Sequence, residues 1–250
     1  MKLVRYQYGE ETSFGILNGD EEIQALAGPP HEDFRVEKIL KRSEVCLLAP
    51  ILPTKIIGIG FNYRTHATEL HAKLPKEPLI FLKPVSALNN PDDPIHLPAM
   101  STLVEGEPEL AVVIGKRCHH VKEEEVSEVI LGYSCFNDVT ARDLQHKDVQ
   151  FTRAKSFDTF ACMGPWIETN LDPADLLIEC RLNEELRASA RTSQLVFSVP
   201  KLVSFVSQIM TLEAGDVIST GTPAGVGPVK SGDKIEVRIE GIGNLMNPVY

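Results

Sequence analysis

Three carboxylates stand at alternating positions in Val104-Glu105-Gly106-Glu107-Pro108-Glu109, directly ahead of the apolar run Leu110 to Ile114. In an extended chain, residues two apart point to the same face. Glu105, Glu107 and Glu109 can therefore project together while the apolar run enters a core. Like charges this close repel unless a positive charge sits among them, and a hard divalent cation with oxygen ligands resolves the conflict. The same letters also suit the exposed acidic edge of a strand, and this stretch alone does not choose between the two. A second place for chemistry is His66 and Glu69, three apart in Phe61-Asn62-Tyr63-Arg64-Thr65-His66-Ala67-Thr68-Glu69-Leu70. On a helix they share a face. A carboxylate beside an imidazole fixes its orientation and raises its basicity, as a general base requires. A surface His–Glu pair has the same spacing.

Further along, Gly132 to Asp143 reads as a mostly apolar strand that delivers Asn137-Asp138 at its end, with Arg142, Asp143 and Gln145 following on a helix or turn. Arg142 and Asp143 also suit a structural ion pair, the reading preferred for Asp143. Arg153 and Lys155 add two cations. Leu212 to Pro228 is rich in glycine, which permits tight turns and close approach of backbone amides to a ligand. A phosphate loop would end in Gly-Lys-Ser/Thr, which is absent. Gly58 and Gly60 form half of a dinucleotide fingerprint; the third glycine and the acidic partner are missing, which argues against a nucleotide. Cys46, Cys118, Cys135, Cys162 and Cys180 are odd in number and contain no Cys-x-x-Cys pair, so reduced core thiols are expected rather than zinc or a disulfide scaffold.

These groups need elements to hold them. Residues 1–50 read as a small β-rich N-terminal domain: extended runs at 2–8, 12–17 and 22–26, a hairpin signal at Asn18-Gly19, and a short helix at Val36 to Lys41. Ala49 to Pro53 is a linker into the main domain, residues 51–250. There, Lys55 to Gly60 and Pro78 to Pro84 read as buried strands, and the polar segment around Arg64 as exposed. A helix is expected from Lys122 to Val129, where Glu123 to Glu125 suit the first turn. Leu176 to Leu182 reads as a strand and Phe197 to Ile209 as a helix. Lys234 to Glu240 reads as a last strand, with Gly241-Ile242-Gly243 a turn.

The chain has 250 residues, 43% of them hydrophobic, enough for one large domain or a main domain with an appendage. Asp plus Glu is 35 against 25 Lys plus Arg, a formal net charge of −10. With no basic block, nucleic-acid binding is not expected. No long apolar stretch marks a signal peptide or a membrane span, so a soluble, cytoplasmic protein is expected.

Taken together, residues 51 to 250 resemble the fumarylacetoacetate hydrolase family in its short, single-catalytic-domain branch. The motifs run in order: a Gly-x-Asn-Tyr-like segment with His66 and Glu69; Glu107-x-Glu109-Leu-Ala-Val-Val-Ile-Gly; Asn137-Asp138-Val-Thr-Ala-Arg142-Asp143; Lys155-Ser156-Phe157-Asp158; Gly164-Pro165-Trp166; and Gly215-Asp216 through Thr222-Pro223 to Gly227. The resemblance implies a mostly β fold with some α, a mixed β-sheet roll, often paired as a homodimer. It implies that Glu107, Glu109 and Asp138 hold one Mg2+ or Mn2+ per subunit, with Glu105 a neighbour rather than a ligand. Lys155, Arg142 and Gln145 take substrate-pocket positions, Lys155 with a catalytic role, and Thr222 contributes from the glycine-rich loop. His66 and Glu69 match a catalytic dyad carried on a lid around Arg64 to Lys73. The implied substrate is a small 2-oxo acid whose enolate the ion stabilises. The expected reaction is hydrolysis of a carbon–carbon bond in a 1,3-diketo acid of the acylpyruvate type. Decarboxylation of an oxaloacetate-like acid and isomerisation of a 2-hydroxy-dienedioate use the same enolate, and a non-catalytic organic-acid binder is the other class. Three features depart from the pattern: the missing upstream aspartate ligand, Pro108 between the glutamates, and the short spacer between Gln145 and Lys155.

Overall fold

The structure is a computed structural model that describes residues 1–30, 34–69 and 73–250. It begins with an antiparallel meander, β1 (Lys2–Tyr8), β2 (Glu11–Asn18), β3 (Glu22–Leu26) and β4 (Val36–Lys41), each paired with the next. The helix expected at Val36 to Lys41 is thus a strand. Its apolar spacing mimics a helical face, but only Leu40 is buried. What decides is the open edge of β3, whose backbone groups β4 satisfies. β5 (Cys46–Leu48) returns to pair with β1.

The site-bearing elements follow: β6 (Ile56–Gly60), α1 (Arg64–Glu69), β7 (Leu79–Lys83), β8 (Leu88–Asn89), β9 (Val104–Glu105), β10 (Pro108–Ile114), β11 (Ile130–Asp138), β12 (Thr140–Ala141), α2 (Arg142–Lys147), α3 (Thr152–Lys155) and β13 (Ala161–Glu168). The chain closes with β14 (Leu177–Leu182), β15 (Glu185–Arg191), α4 (Val199–Ile209), β16 (Val217–Ser219), β17 (Lys234–Ile239) and β18 (Gly243–Pro248). Among the described residues, one twelve-stranded sheet runs β4-β3-β2-β1-β13-β11-β10-β16-β6-β7, with β5 and β8 attached at its side. It is mixed: β16 runs parallel to β6 and β13 parallel to β8. A four-stranded sheet, β15-β14-β17-β18, packs against it, and β9 pairs with β12. The fold is mostly β with few helices, as expected.

β10 is buried along its whole length, and its side chains divide between two cores. Leu110, Val112 and Ile114 join Ile178, Cys180, Val237 and Leu245 of the second sheet. Ala111 and Val113 join Leu3, Ile56, Phe136 and Val217 on the other face. A strand with two buried faces reads as a continuous apolar run, which is why the period-two signal is missing from Leu110 to Ile114. The carboxylates sit where that run begins.

Three other expectations are corrected. β7 is an edge strand in which only Lys83 is buried, while Leu79 and Leu82 are 40% and 50% exposed. The helix expected at Lys122 to Val129 is a 3-10 segment, Glu123–Glu128. Lys234–Ile239 is not the last strand, because β18 pairs back along it after the turn. The helix near Phe197 is present as α4.

Candidate active site and metal centre

β10 and β11 lie side by side and antiparallel, with Pro108 opposite Asn137 and Glu109 opposite Phe136. That register brings the start of one strand to the end of the other, so Glu107 and Glu109 meet Asp138. The three carboxylates are buried, and each offers a ligand oxygen within 4.8 Å of the others. Glu105 is turned away from this cluster. The extended strand is interrupted between β9 and β10, so the strict alternation read in the sequence does not hold, and Glu105 instead accepts the Arg142 Nε–H at 2.7 Å.

Cations from separate elements surround the acids. Lys155, at the end of α3, donates from Nζ to Glu107 Oε2 and Asp138 Oδ2, each at 2.6 Å. Arg142, at the start of α2, donates to Glu107 Oε1 and to Gln145 Oε1 as well as to Glu105. Lys83 of β7 donates to the second oxygen of Asp138 and, at 3.2 Å, to the Val139 carbonyl. Glu109 accepts the Ser219 hydroxyl and the Gly221 N–H, the latter at 2.8 Å. Four carboxylates (Glu105, Glu107, Glu109, Asp138) thus face three cations (Lys83, Arg142, Lys155), leaving one negative charge in excess when all are ionised.

The electrostatics follow from this geometry. Burial raises the Glu107 carboxyl, but Lys155 and Arg142 outweigh it and hold the group well below the usual range. Glu109 has no direct cationic partner; burial, with the charges of Asp138 and Glu107, pushes it up to about 8. Burial lowers the Lys155 ammonium, yet Asp138 and Glu107 leave it raised on balance. Burial dominates at Lys83, which is lowered. A glutamate driven up by burial and by its acidic neighbours is what a hard divalent ion would relieve, and an all-carboxylate donor set fits Mg2+ or Mn2+ rather than a soft metal. The residues present therefore fit such an ion.

His66 and Glu69 lie on α1, with Nδ1 of the imidazole 3.3 Å from Glu69 Oε2. Since the carboxylate can only accept, Nδ1 carries a proton, and in the neutral imidazole Nε2 is the nitrogen that keeps its lone pair. The other oxygen of Glu69 accepts the Gly225 N–H at 3.1 Å, so the glycine-rich loop orients the carboxylate that orients the histidine. The exposure expected around Arg64 does not extend to His66, which is 4% exposed. Part of the expected lid, residues 70–72, lies outside the described residues.

One small cavity, about 20 Å3, is lined by His66, Glu107, Glu109, Asp138, Arg142, Gln145, Lys155 and Thr222 together with Ile59, Gly60, Phe61, Phe81 and Phe151. As it stands it has room for an ion or a water, so a larger ligand enters only by displacing the side chains that line it. The Thr222 hydroxyl is buried there without a partner among the described residues. Of the expected site residues, only Glu69 stays off the wall, behind His66. A roomier cleft of about 530 Å3 lies between α4 and the start of β11, with Asp172 and Tyr133 the only ionisable groups among its described lining residues. Asp143 takes no ion-pair partner among the described residues; it accepts the Ser101 hydroxyl at 2.6 Å and the Thr102 N–H at 2.9 Å. Arg153 points away and pairs with Asp148.

Sequence reasoning missed Lys83, Ser219 and the three phenylalanines. Lys83 had a signal, a lone charge closing the apolar run Leu79 to Leu82. A charge in that setting is buried only when paired.

Comparison with known proteins identifies the family. Residues 55–250 match the family described as fumarylacetoacetate (FAA) hydrolase C-terminal, and residues 1–50 match one described as Rv2993c-like, N-terminal. The oxaloacetate tautomerase fahd2, mitochondrial, of Xenopus laevis is 44% identical over 85% of this chain and 71% of its own. The structure of 5-carboxymethyl-2-hydroxymuconate delta-isomerase from Mycobacterium smegmatis superposes with a TM-score of 0.94 at 43% identity, covering 100% of this chain and 99% of that one. Maleylpyruvate hydrolase from Sphingobium sp. SYK-6, solved with manganese(II) and pyruvate, gives 0.82 at 33% identity, covering 100% and 98%. With its matched region spanning both the acidic cluster and the histidine helix, the chain belongs to the fumarylacetoacetate hydrolase family.

Proposed function

We propose that this chain is a divalent-metal-dependent enzyme that hydrolyses a carbon–carbon bond in a 1,3-diketo 2-oxo acid of the acylpyruvate type. The observation that carries the reading is that His66, backed by Glu69, and the Glu107–Glu109–Asp138 cluster line one cavity. A Mg2+ or Mn2+ ion held by those three carboxylates would supply the Lewis acid that draws electron density toward the 2-oxo oxygen.

The chain's own groups do the rest. Thr222, whose hydroxyl is free to turn, and Gln145 bind the substrate carboxylate and its oxo group. Lys155 places a positive charge beside the oxygen on which charge develops. His66 Nε2 takes a proton from water, and Glu69 steadies the imidazolium that forms. The hydroxide adds to the distal carbonyl, the C3–C4 bond breaks, and its electron pair passes to C3 and the 2-oxo oxygen. The proton is then returned to C3, so that acylpyruvate plus water gives a carboxylic acid plus pyruvate. Burial of the cavity keeps bulk water from competing.

Acetylpyruvate with Mg2+ tests this, with pyruvate release as the readout. His66→Ala should lower turnover by roughly 100- to 10,000-fold while leaving Mg2+ affinity intact, and EDTA should abolish turnover in the parent. Unchanged turnover in either case would end the reading. A second reading, keto–enol isomerisation, is favoured by the names of the tautomerase and isomerase relatives. It needs only a proton relay at C3, and it predicts loss of the enol absorbance of a 2-oxo acid without release of pyruvate.

A further inference from the structure

The cavity has a second character besides its charge. Phe61 follows β6, Phe81 lies on β7 and Phe151 stands just ahead of α3, and all three rings line it. Phe81 and Phe151 meet edge to face with centroids 5.7 Å apart. Phe61 stacks on the His66 ring at 6.4 Å and 27°. The Lys155 ammonium stands 5.0 Å over the Phe81 ring. Space has been made for one of these rings. A Cβ on Gly58 would fall 2.1 Å from Phe81 Cζ, whereas one on Gly60 would meet Leu79 first, at 3.1 Å, and Phe151 at an ordinary 3.6 Å. Gly58, the first half of the apparent nucleotide fingerprint, is therefore the seat of the Phe81 ring. Phe61 adopts φ +55, a left-handed conformation that a bulky residue takes only under constraint, and it presents a ring there nonetheless.

The cations on the cavity wall are committed elsewhere. Lys155 already serves Glu107 and Asp138, and Arg142 already serves Glu105 and Glu107. The one excess negative charge of the site would become one positive charge on binding a divalent ion, which the carboxylate of a 2-oxo acid neutralises. A second carboxylate at the far end of the substrate would then lie against rings, with no uncommitted cation among the described lining residues. A buried charge without a partner is costly, whereas a flat, uncharged group gains from ring contact.

We propose that Phe61, Phe81 and Phe151 are specificity-determining residues that select a monocarboxylic 2-oxo acid with a flat, uncharged substituent beyond C3, an aroylpyruvate rather than a dicarboxylic acid. This rests on the reading of the cavity as a 2-oxo acid site.

The test compares benzoylpyruvate with succinylpyruvate, a 1,3-diketo acid carrying a second carboxylate, at saturating Mg2+, reading both kcat/KM and calorimetric affinity. The parent should prefer benzoylpyruvate by about tenfold or more, the scale on which apolar pockets discriminate. Phe151→Ala and Phe61→Ala should each shrink that ratio, and Phe151→Arg should shift it toward succinylpyruvate. Equal or better handling of succinylpyruvate by the parent would overturn the inference, and so would a ratio that all three variants leave unchanged. The two readouts separate the failures. If neither acid is turned over, the catalytic reading falls, while the affinity ratio still decides whether the wall selects.

Discussion

At the scale of single residues, the site is a balance of buried charges, and Lys83 and Glu109 are its two sensitive points. Lys83 is fully buried with both hydrogen bonds directed at the Asp138 end of β11. Lys83→Met keeps the bulk and removes the charge, leaving one oxygen of a buried carboxylate without its partner. Breaking a buried pair in this way costs about 3–5 kcal/mol. Urea denaturation should show that loss, and a change under about 1 kcal/mol would mean Lys155 alone suffices to hold Asp138. Glu109 gives a pH prediction. Its folded pKa, about 8, lies above its ordinary 4.5, so between those values the folded chain holds a proton that the unfolded chain has released. The metal-free fold therefore loses stability as pH rises through that window. A divalent ion must displace the same proton, so apparent Mg2+ affinity should climb roughly tenfold per unit toward pH 8 and then level off. Calorimetry across pH checks this, with Glu109→Gln expected to flatten the dependence; a flat profile in the parent would contradict the assignment. Two members of the acidic trio, Glu107 and Glu109, stood out in the letters, but so did Glu105, and an exposed strand edge suited the same spacing; Asp138 took the place of Glu105 only through the family resemblance. Lys83 hid in a strand whose other residues looked like core, and the cluster it joins is fifty-five positions downstream.

At the scale of elements, local pattern told most where an element buries one face and least where an edge or a neighbour decides. α4 was legible because Val199, Leu202, Val203 and Val206 fall on one helical stripe. β4 was not, because its identity comes from the unpaired side of β3, which no local window contains. β6 shows the cost of reading a glycine by motif. Gly58 pairs with Phe81 across the β6–β7 ladder, and its missing side chain is filled by that ring. Gly58→Ala forces the Phe81 ring to move or the ladder to shift, overpacking of a kind that costs about 1–3 kcal/mol. Thermal unfolding should register the loss. The Phe81→Ala background, where the ring is gone, should accept alanine at 58 with little further penalty. Equal penalties in both backgrounds would show that the close approach is not what demands glycine there.

At the scale of the whole molecule, the N-terminal meander and the catalytic strands share one sheet, and this bears on what residues 1–50 contribute. β1 pairs with β13 through Lys2 opposite Glu168 and Leu3 opposite Ile167, and β13 pairs in turn with β11, which carries Asp138. Leu3 belongs to the same core as Ala111, Phe136 and Ile167. Trp166 of β13 packs against the Val4, Tyr6 and Leu17 cluster, and Lys2 stands over its ring at 4.4 Å. Removing residues 1–50 would therefore strip a strand from the edge of β13 and expose part of a core that reaches to within two residues of Glu109 and Asp138. An uncovered strand edge with apolar flanks invites association with other chains. A chain beginning at residue 51 should accordingly aggregate or unfold at a lower temperature than the full chain, and it should lose Mg2+ affinity along with stability rather than independently of it. The two signals can be followed together by titrating Mg2+ during thermal denaturation. A truncated chain that stayed monodisperse, melted at the parent temperature and bound Mg2+ as tightly would show that the meander is an independent unit resting on a catalytic sheet already complete without it.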